Sequence, residues 1–170
     1  MNVTFDLDDF LPSTGEVAWI GVRPSKGADV VVVQDVWAEA GRGLVGDHAH
    51  EEGADSSRQV TLIAEDFVST VAERMGHPID PRQLRRNIVV DGLNLRALHH
   101  RQQIEIGTAI LEVSGPCHPC QRMENTVGPG GLKSMAGLGG YCCRIIRSGR
   151  GAIAIKVARS RAAGITKPSL

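Results

Sequence analysis

The sequence predicts a mainly β member of the α+β class: a barrel-like, folded sheet carrying one or two helices. Three observations predict it. Seven or eight short apolar or alternating stretches are bounded by Gly and Pro, one clear amphipathic helical stripe interrupts them, and the βαβ alternation of a doubly wound sheet is missing. The 170 residues are enough for one domain with a proper core and too few for two.

Taken in order, residues 1–14 form a polar lead. EVAWIGVRP alternates as a strand, and ADVVVVQDVWAEA reads as a second with strong β-branched content, the PSKG turn separating the two. AGRGLVGDHAHEEGADSS is polar, glycine-punctuated and aperiodic, long for an idle loop inside a compact domain. RQVTLIA is a third strand. In EDFVSTVAERM, Phe67, Val68, Val71, Ala72 and Met75 share one helical face, and Gly76 and Pro78 stop the helix. Pro81 to Leu84 is a short helical turn. Strands follow at Asn87 to Val90, Gln103 to Ile106 and Thr108 to Ser114, broken by Gly92 and Gly107, and then at GYCCRIIRSG and AIAIKV. Beyond these, residues 158–170 read as a loosely held tail.

Composition narrows the function. The 19 basic residues balance the 19 acidic ones, so no overall field draws the chain to nucleic acid or to an anionic membrane, and an anion must be held locally. Fifteen of the 19 basic residues are Arg, which suits forked recognition of phosphate or carboxylate, although a GC-rich genome produces the same bias. No apolar run approaches the ~20 residues of a membrane span. The acidic start lacks the pattern of a signal peptide, so a cytoplasmic location is the default expectation. Four Cys at 117, 120, 142 and 143 are no disulfide framework in a chain of this length, and reducing cytosol keeps them as thiols.

The chemistry centres on GPCHPCQRMEN, where two thiols and an imidazole sit at the exit of a strand stiffened by Pro116 and Pro119. Haem attachment fails because Gln121 follows the second Cys. A zinc site lacks a second pair at knuckle spacing, since Cys142 and Cys143 are adjacent. A thioredoxin-like dithiol lacks its βαβ setting, although QRMEN could begin a helix. Burial of Cys117 and Cys120 as small apolar residues stays open beside these. Within a strand, Cys142 and Cys143 point to opposite faces. The glycine-rich VGPGGLKSMAGLGG, with Gly130 and Gly131 at its centre, frees backbone amides to turn toward an anion; a plain surface loop explains it equally. Arg85, Arg86 and Asn87 ahead of one strand, and Arg58 ahead of another, are candidate donors to the same anion. His48 and His50 in GDHAH are candidate proton donors or substrate contacts.

In order, GLVGDHAH, SRQVTLIAEDF, RRNIVVDGLNL, IEIGTAILEVSGPCHPCQRM and the glycine run to GGYCCRII resemble the successive blocks of a stand-alone MOSC domain, the module named for the C-terminal part of molybdenum-cofactor sulfurases. The resemblance spans residues 15–157. It implies a β-barrel-like fold and binding of the molybdenum cofactor (Mo-molybdopterin), a pyranopterin whose dithiolene sulfurs hold the metal and whose phosphate needs cationic and amide donors. Cys120, in PCQRM, stands where the family has its key cysteine, which makes it the expected metal or persulfide sulfur, with His118 and Arg122 nearby to favour the thiolate. Arg86, Asn87 and His48 match positions that line the family's pocket or its mouth.

The chain lacks the N-terminal β-barrel domain of the larger amidoxime-reducing relatives and the pyridoxal-phosphate desulfurase domain of the full sulfurases. The leading expectation is a molybdenum-dependent oxidoreductase that reduces small N-hydroxylated substrates such as hydroxylaminopurines or amidoximes, with electrons from a donor protein and no nucleic-acid or membrane partner. The alternatives are a sulfur carrier holding a persulfide on Cys120, and a redox-responsive module without turnover.

Overall fold

The computed structural model describes residues 14–52, 56–153 and 156–159. All but the last residue of the expected polar lead, and most of the expected tail, lie outside these residues; Thr14 opens the first strand. The strands are β1 (Thr14–Val22), β2 (Val31–Val32), β3 (Asp35–Glu39), β4 (Gly43–Leu44), β5 (Val60–Ala64), β6 (Ile88–Asp91), β7 (Gln103–Ile106), β8 (Ala109–Pro116), β9 (Tyr141–Arg147), β10 (Gly149–Ala152) and β11 (Lys156–Arg159). The helices are α1 (His48–Glu52), α2 (Glu65–Met75), α3 (Pro81–Leu84), α4 (Gln121–Val127) and α5 (Gly131–Ser134).

Eight strands form one sheet in the order β11-β7-β8-β9-β5-β6-β1-β2. Strand β11 also pairs with β1, Gly15 opposite Val157, so the sheet curls back on itself in the expected barrel-like way. The pairings are antiparallel except β5 with β6, which run parallel and need the crossover that α2 and α3 supply. A second sheet, β10-β3-β4, flanks it.

Strand β5 is the middle of the packing. All five of its residues are buried, which explains why VTLIA reads as a continuous apolar run and not as an alternation. Around it pack Ile20, Leu84, Leu111, Met123, Met135 and Ile145, each almost wholly shielded from water. A fully buried side chain of this kind contributes about 1.5–3 kcal/mol. Helix α2 lays Phe67, Val68 and Val71 onto this core, and Gly76 ends it in the left-handed conformation, its N–H donating to Ala72 O at 2.9 Å.

Three expectations change. The stretch from Ala28 to Ala40 is two strands, not one, because the chain turns at Val33 and Gln34 to pass from the large sheet to the small one. AIAIKV likewise divides between β10 and β11. The described residues hold five helices where one or two were expected; α1, α3 and α5 are four or five residues long, too short to show a helical period.

Candidate functional site

The C-terminal end of β1 and the N-terminal ends of β5 and β6 converge with the start of α4 on a cleft of about 510 Å³. The cleft carries six cations: Arg23, Lys26, Arg58, Arg85, Arg86 and Arg122. His48, Ala49, Thr61, Asn87, Cys120 and Gln121 complete its wall. In a chain of zero formal net charge, this is a strong local concentration of one sign. Among the described residues only Arg23 of the six is paired with a carboxylate, its Nε lying 3.3 Å from Asp47 Oδ2.

Asp47 organises the floor. It is buried and accepts the Arg23 N–H at 3.0 Å, Asn87 Nδ2 at 2.9 Å and, on its other oxygen, the Ala49 N–H at 3.0 Å. The last of these opens α1 and so presents His48 to the cleft. Asn87 lines the cleft but has no bond left for a ligand. Its Nδ2 also donates to Gly21 O at 3.1 Å, and its Oδ1 accepts both the N–H and the hydroxyl of Thr61. An amide has two donors and two lone pairs, so the expected cofactor donor is instead a strut between β1, β5 and Asp47.

Arg86 is also largely committed. Its buried guanidinium reaches Gly139 O at 2.8 Å, Leu84 O at 3.1 Å and Cys117 O at 3.2 Å, tying the approach to β6 to the thiol segment. Burial lowers its pKa, opposed by the thiols of Cys117, Cys142 and Cys120, yet an arginine remains charged. Arg85 sits at φ 56, left-handed and unusual for a side-chain-bearing residue. There it caps α3 and sends its guanidinium toward Ala28 O. Burial and the neighbouring Arg23 and Arg122 charges depress its pKa.

The four thiols separate by place. Cys120 is exposed in the cleft, immediately before the first residue of α4. Cys117 is buried behind the wall, with Arg58 Nη2 3.5 Å from its sulfur. The hydrogen bond from the Cys142 thiol lowers the Cys117 pKa against the cost of burial, helped by Arg86 and Arg58. Cys142 is raised in return, and burial raises Cys143. Cys117 and Cys120 therefore do not act as a knuckle, and among the described residues no three His, Cys, Asp or Glu side chains gather as metal ligands.

Of the residues singled out from the sequence, Cys120, His48, Arg86, Asn87, Arg58 and Arg122 line this one cleft. Gly130 and Gly131 do not. The Gly130 N–H donates to Glu124 Oε1 at 3.0 Å, the Leu132 N–H to the other oxygen and the Gly131 N–H to Gly128 O at 3.0 Å, so the amides expected to face an external anion are taken up inside the chain. His50 is buried in the body, Nε2 2.7 Å from Glu39 and Nδ1 3.2 Å from Glu51, and exposed His118 is not part of the wall. Sequence reasoning missed Asp47, Arg23 and Lys26. An Asp directly before a short polar segment is a helix-cap signal that could have found Asp47; Arg23 stood at the end of what read as a strand and Lys26 in what read as a spacer turn.

The fold and the cleft together define a mainly β protein with a cation-lined cleft and an exposed thiol. The MOSC domain model matches residues 41–159, and the chain belongs to that family. The match leaves out β1, which pairs within the sheet and delivers Arg23. Among solved structures the chain is similar to the YuaD protein from Bacillus subtilis, with TM-score 0.75 at 18% identity over 88% of this chain and 97% of that one. It is similar also to YiiM from Geobacillus stearothermophilus, TM-score 0.71, 18% identity, 86% and 75% of the two chains. For YiiM from Escherichia coli the values are 0.66, 17%, 89% and 73%. At such identities these likenesses establish the fold alone. No curated protein matches the sequence. Among the described residues no helix is long and apolar enough to cross a membrane.

Proposed function

We propose that the cleft binds the molybdenum cofactor and that the protein reduces small N-hydroxylated compounds there. The observation that carries this reading is one exposed thiol, Cys120, set among six cations of which five lack a carboxylate partner among the described residues. A soft thiolate suits a sulfur-ligated metal, and guanidinium and ammonium groups suit a phosphate. With no protein-built metal cage near Cys120 among the described residues, a metal held there brings most of its ligands on an organic group, as a dithiolene-bearing pterin does.

Bound there, the cofactor would supply a two-electron centre for removing an oxygen atom. The chain's own part is then defined. Cys120 would ligate the metal; Arg85 and Arg122, with Lys26 and Arg58, would neutralise the phosphate; and His48, in the wall, would pass one of the two protons, solvent supplying the other, with which the oxygen leaves as water. Two electrons come from a donor protein.

The exposure of Cys120 also favours a second reading, a persulfide carried on that sulfur and handed on. One experiment separates the two. Full-length protein from a host that makes the cofactor is assayed for molybdenum, pterin fluorescence and intact mass. About one molybdenum per chain, lost in Cys120→Ser, is the expected result. A gain of one sulfur on Cys120 with no metal supports the carrier, and molybdenum retained by Cys120→Ser overturns the assignment of the ligand.

A further inference from the structure

The thiol segment rests on two residues, one a buried cation and one without a side chain. We infer that Arg86 and Gly139 are positioning residues: together they seat residues 117–119 and so fix where the Cys120 sulfur stands in the cleft. The inference rests on the proposed function only for what that sulfur does.

The seat is built from the interior outward. Strands β5 and β6 run parallel with Leu62 opposite Ile88, and all of β5 is buried. Gly140 lies so close to β5 that a Cβ on it would stand 2.0 Å from Leu62 O. Its own carbonyl accepts the Cys117 N–H at 2.8 Å. Gly139 comes as close to the thiol segment: a Cβ there would stand 2.0 Å from Cys117 O and 3.5 Å from Cδ of Pro119. Backbone can meet backbone at these distances only where the side chain is missing.

Arg86, two residues before β6, clamps the two sides together. Its Nε donates to Gly139 O at 2.8 Å and its Nη2 to Cys117 O at 3.2 Å, while Nη1 donates to Leu84 O at 3.1 Å. Every one of these acceptors is a main-chain carbonyl, and Arg86 is 3% exposed, so water cannot replace a donor that is lost. A lysine would keep the charge and lose the planar fork that spans the two sides.

From Cys117 to Cys120 the chain has little freedom. Only His118 and Pro119 intervene, and the proline ring fixes one backbone torsion. On its far side Cys120 passes directly into α4, its carbonyl accepting the Glu124 N–H at 3.1 Å, and α4 is anchored by buried Met123 and Val127. Cys120 is therefore gripped from both directions. A cysteine has one side-chain torsion with a few staggered settings, so a fixed backbone leaves its sulfur few places to stand. A sulfur that ligates a metal needs such a hold, and groups that orient a ligand commonly govern metal affinity by about 10–100-fold.

The test uses the full chain with a methanethiosulfonate nitroxide on Cys120, the exposed thiol, its position confirmed by peptide fragmentation. Wild type, Arg86→Lys, Gly139→Ala and the core variant Val71→Ala are compared by electron paramagnetic resonance at room temperature. In Arg86→Lys and Gly139→Ala the rotational correlation time of the label should shorten by about two- to fivefold, although neither change removes a charge. Val71→Ala should lower the melting temperature and leave the label as it is in wild type. A label as immobile in Arg86→Lys as in wild type overturns the proposal, and this variant decides alone where Gly139→Ala does not fold. Equal loosening in Val71→Ala overturns it too, since the effect is then one of overall stability. A second arm uses protein from a host that makes the molybdenum cofactor, in which both seat variants should hold molybdenum about 10–100-fold more weakly. Unchanged molybdenum affinity in both refutes the role of the seat in ligation. Wild type that binds no molybdenum, with the labels behaving as expected, refutes the proposed function and upholds the seat.

Discussion

Asn87→Asp tests the floor of the cleft with almost no change of shape. The wild-type amide donates to Asp47 Oδ2 at 2.9 Å, and both residues are buried. Two unit charges at that separation repel by about 6 kcal/mol at an effective dielectric constant of about 20. The introduced carboxyl escapes by staying protonated and donating its O–H to Asp47. That costs about 1.4 kcal/mol for each pH unit above its unfolded pKa of about 3.9, or about 4 kcal/mol at pH 7. A further ~1 kcal/mol goes with the lost donor to Gly21 O. The Arg23 guanidinium on Asp47 offsets part of this, leaving a loss of about 3–5 kcal/mol at neutral pH.

The sign follows from the protons. The folded variant holds one that the unfolded chain releases, so its stability relative to wild type falls as pH rises above about 4, and near pH 4 only about 1 kcal/mol separates them. Urea unfolding of both proteins at four pH values from 4.5 to 7.5 measures the gap. A gap below ~1 kcal/mol at pH 7.5, or one that does not widen with pH, refutes the account of Asn87 as a fully committed strut.

Two other predictions concern elements around the cleft. Glu124→Gln puts an amide against the Gly130 and Leu132 N–H groups and should cost about 2 kcal/mol, lowering the thermal midpoint by about 4–8 °C; hydrogen exchange at residues 128–132 should quicken, and unchanged exchange there contradicts the assignment. Glu39→Gln removes the carboxylate whose hydrogen bond raises the His50 pKa. The wild-type advantage in melting temperature should be full below pH ~6.5 and disappear as pH rises through the raised value, whereas a gap equal at pH 5.5 and 9 argues that His50 is neutral throughout.

The elements legible in the sequence were those whose period is long enough to read. The stripe from Phe67 to Met75 marked α2 at its observed bounds, and β-branched runs marked β5 and β6. Four-residue helices and the division of residues 28–40 between two sheets leave no periodic trace, because they are set by where the chain must turn to pair. The site shows the same division. Cys120, Arg58, Arg122 and His48 were readable as chemistry in short motifs, and they share a cleft. Asn87 and Arg86 were read as ligand donors because residue type announces donors but not the partners that occupy them; Thr61, Asp47 and Gly139 reach them only through the fold. Gly130 and Gly131 were read as amide donors for the same reason, since Glu124 takes the Gly130 N–H and Gly128 O the Gly131 N–H.

The pairing of Gly15 with Val157 has a consequence for biosynthesis. The chain emerges from the ribosome with β1 waiting for β11, so the ring closes only after every strand between them has been made. Until then β1 and β7 keep open edges, the usual templates for wrong pairing. A truncation that removes 156–159 should therefore yield aggregates and not a smaller soluble domain, even though it deletes nothing from the cleft.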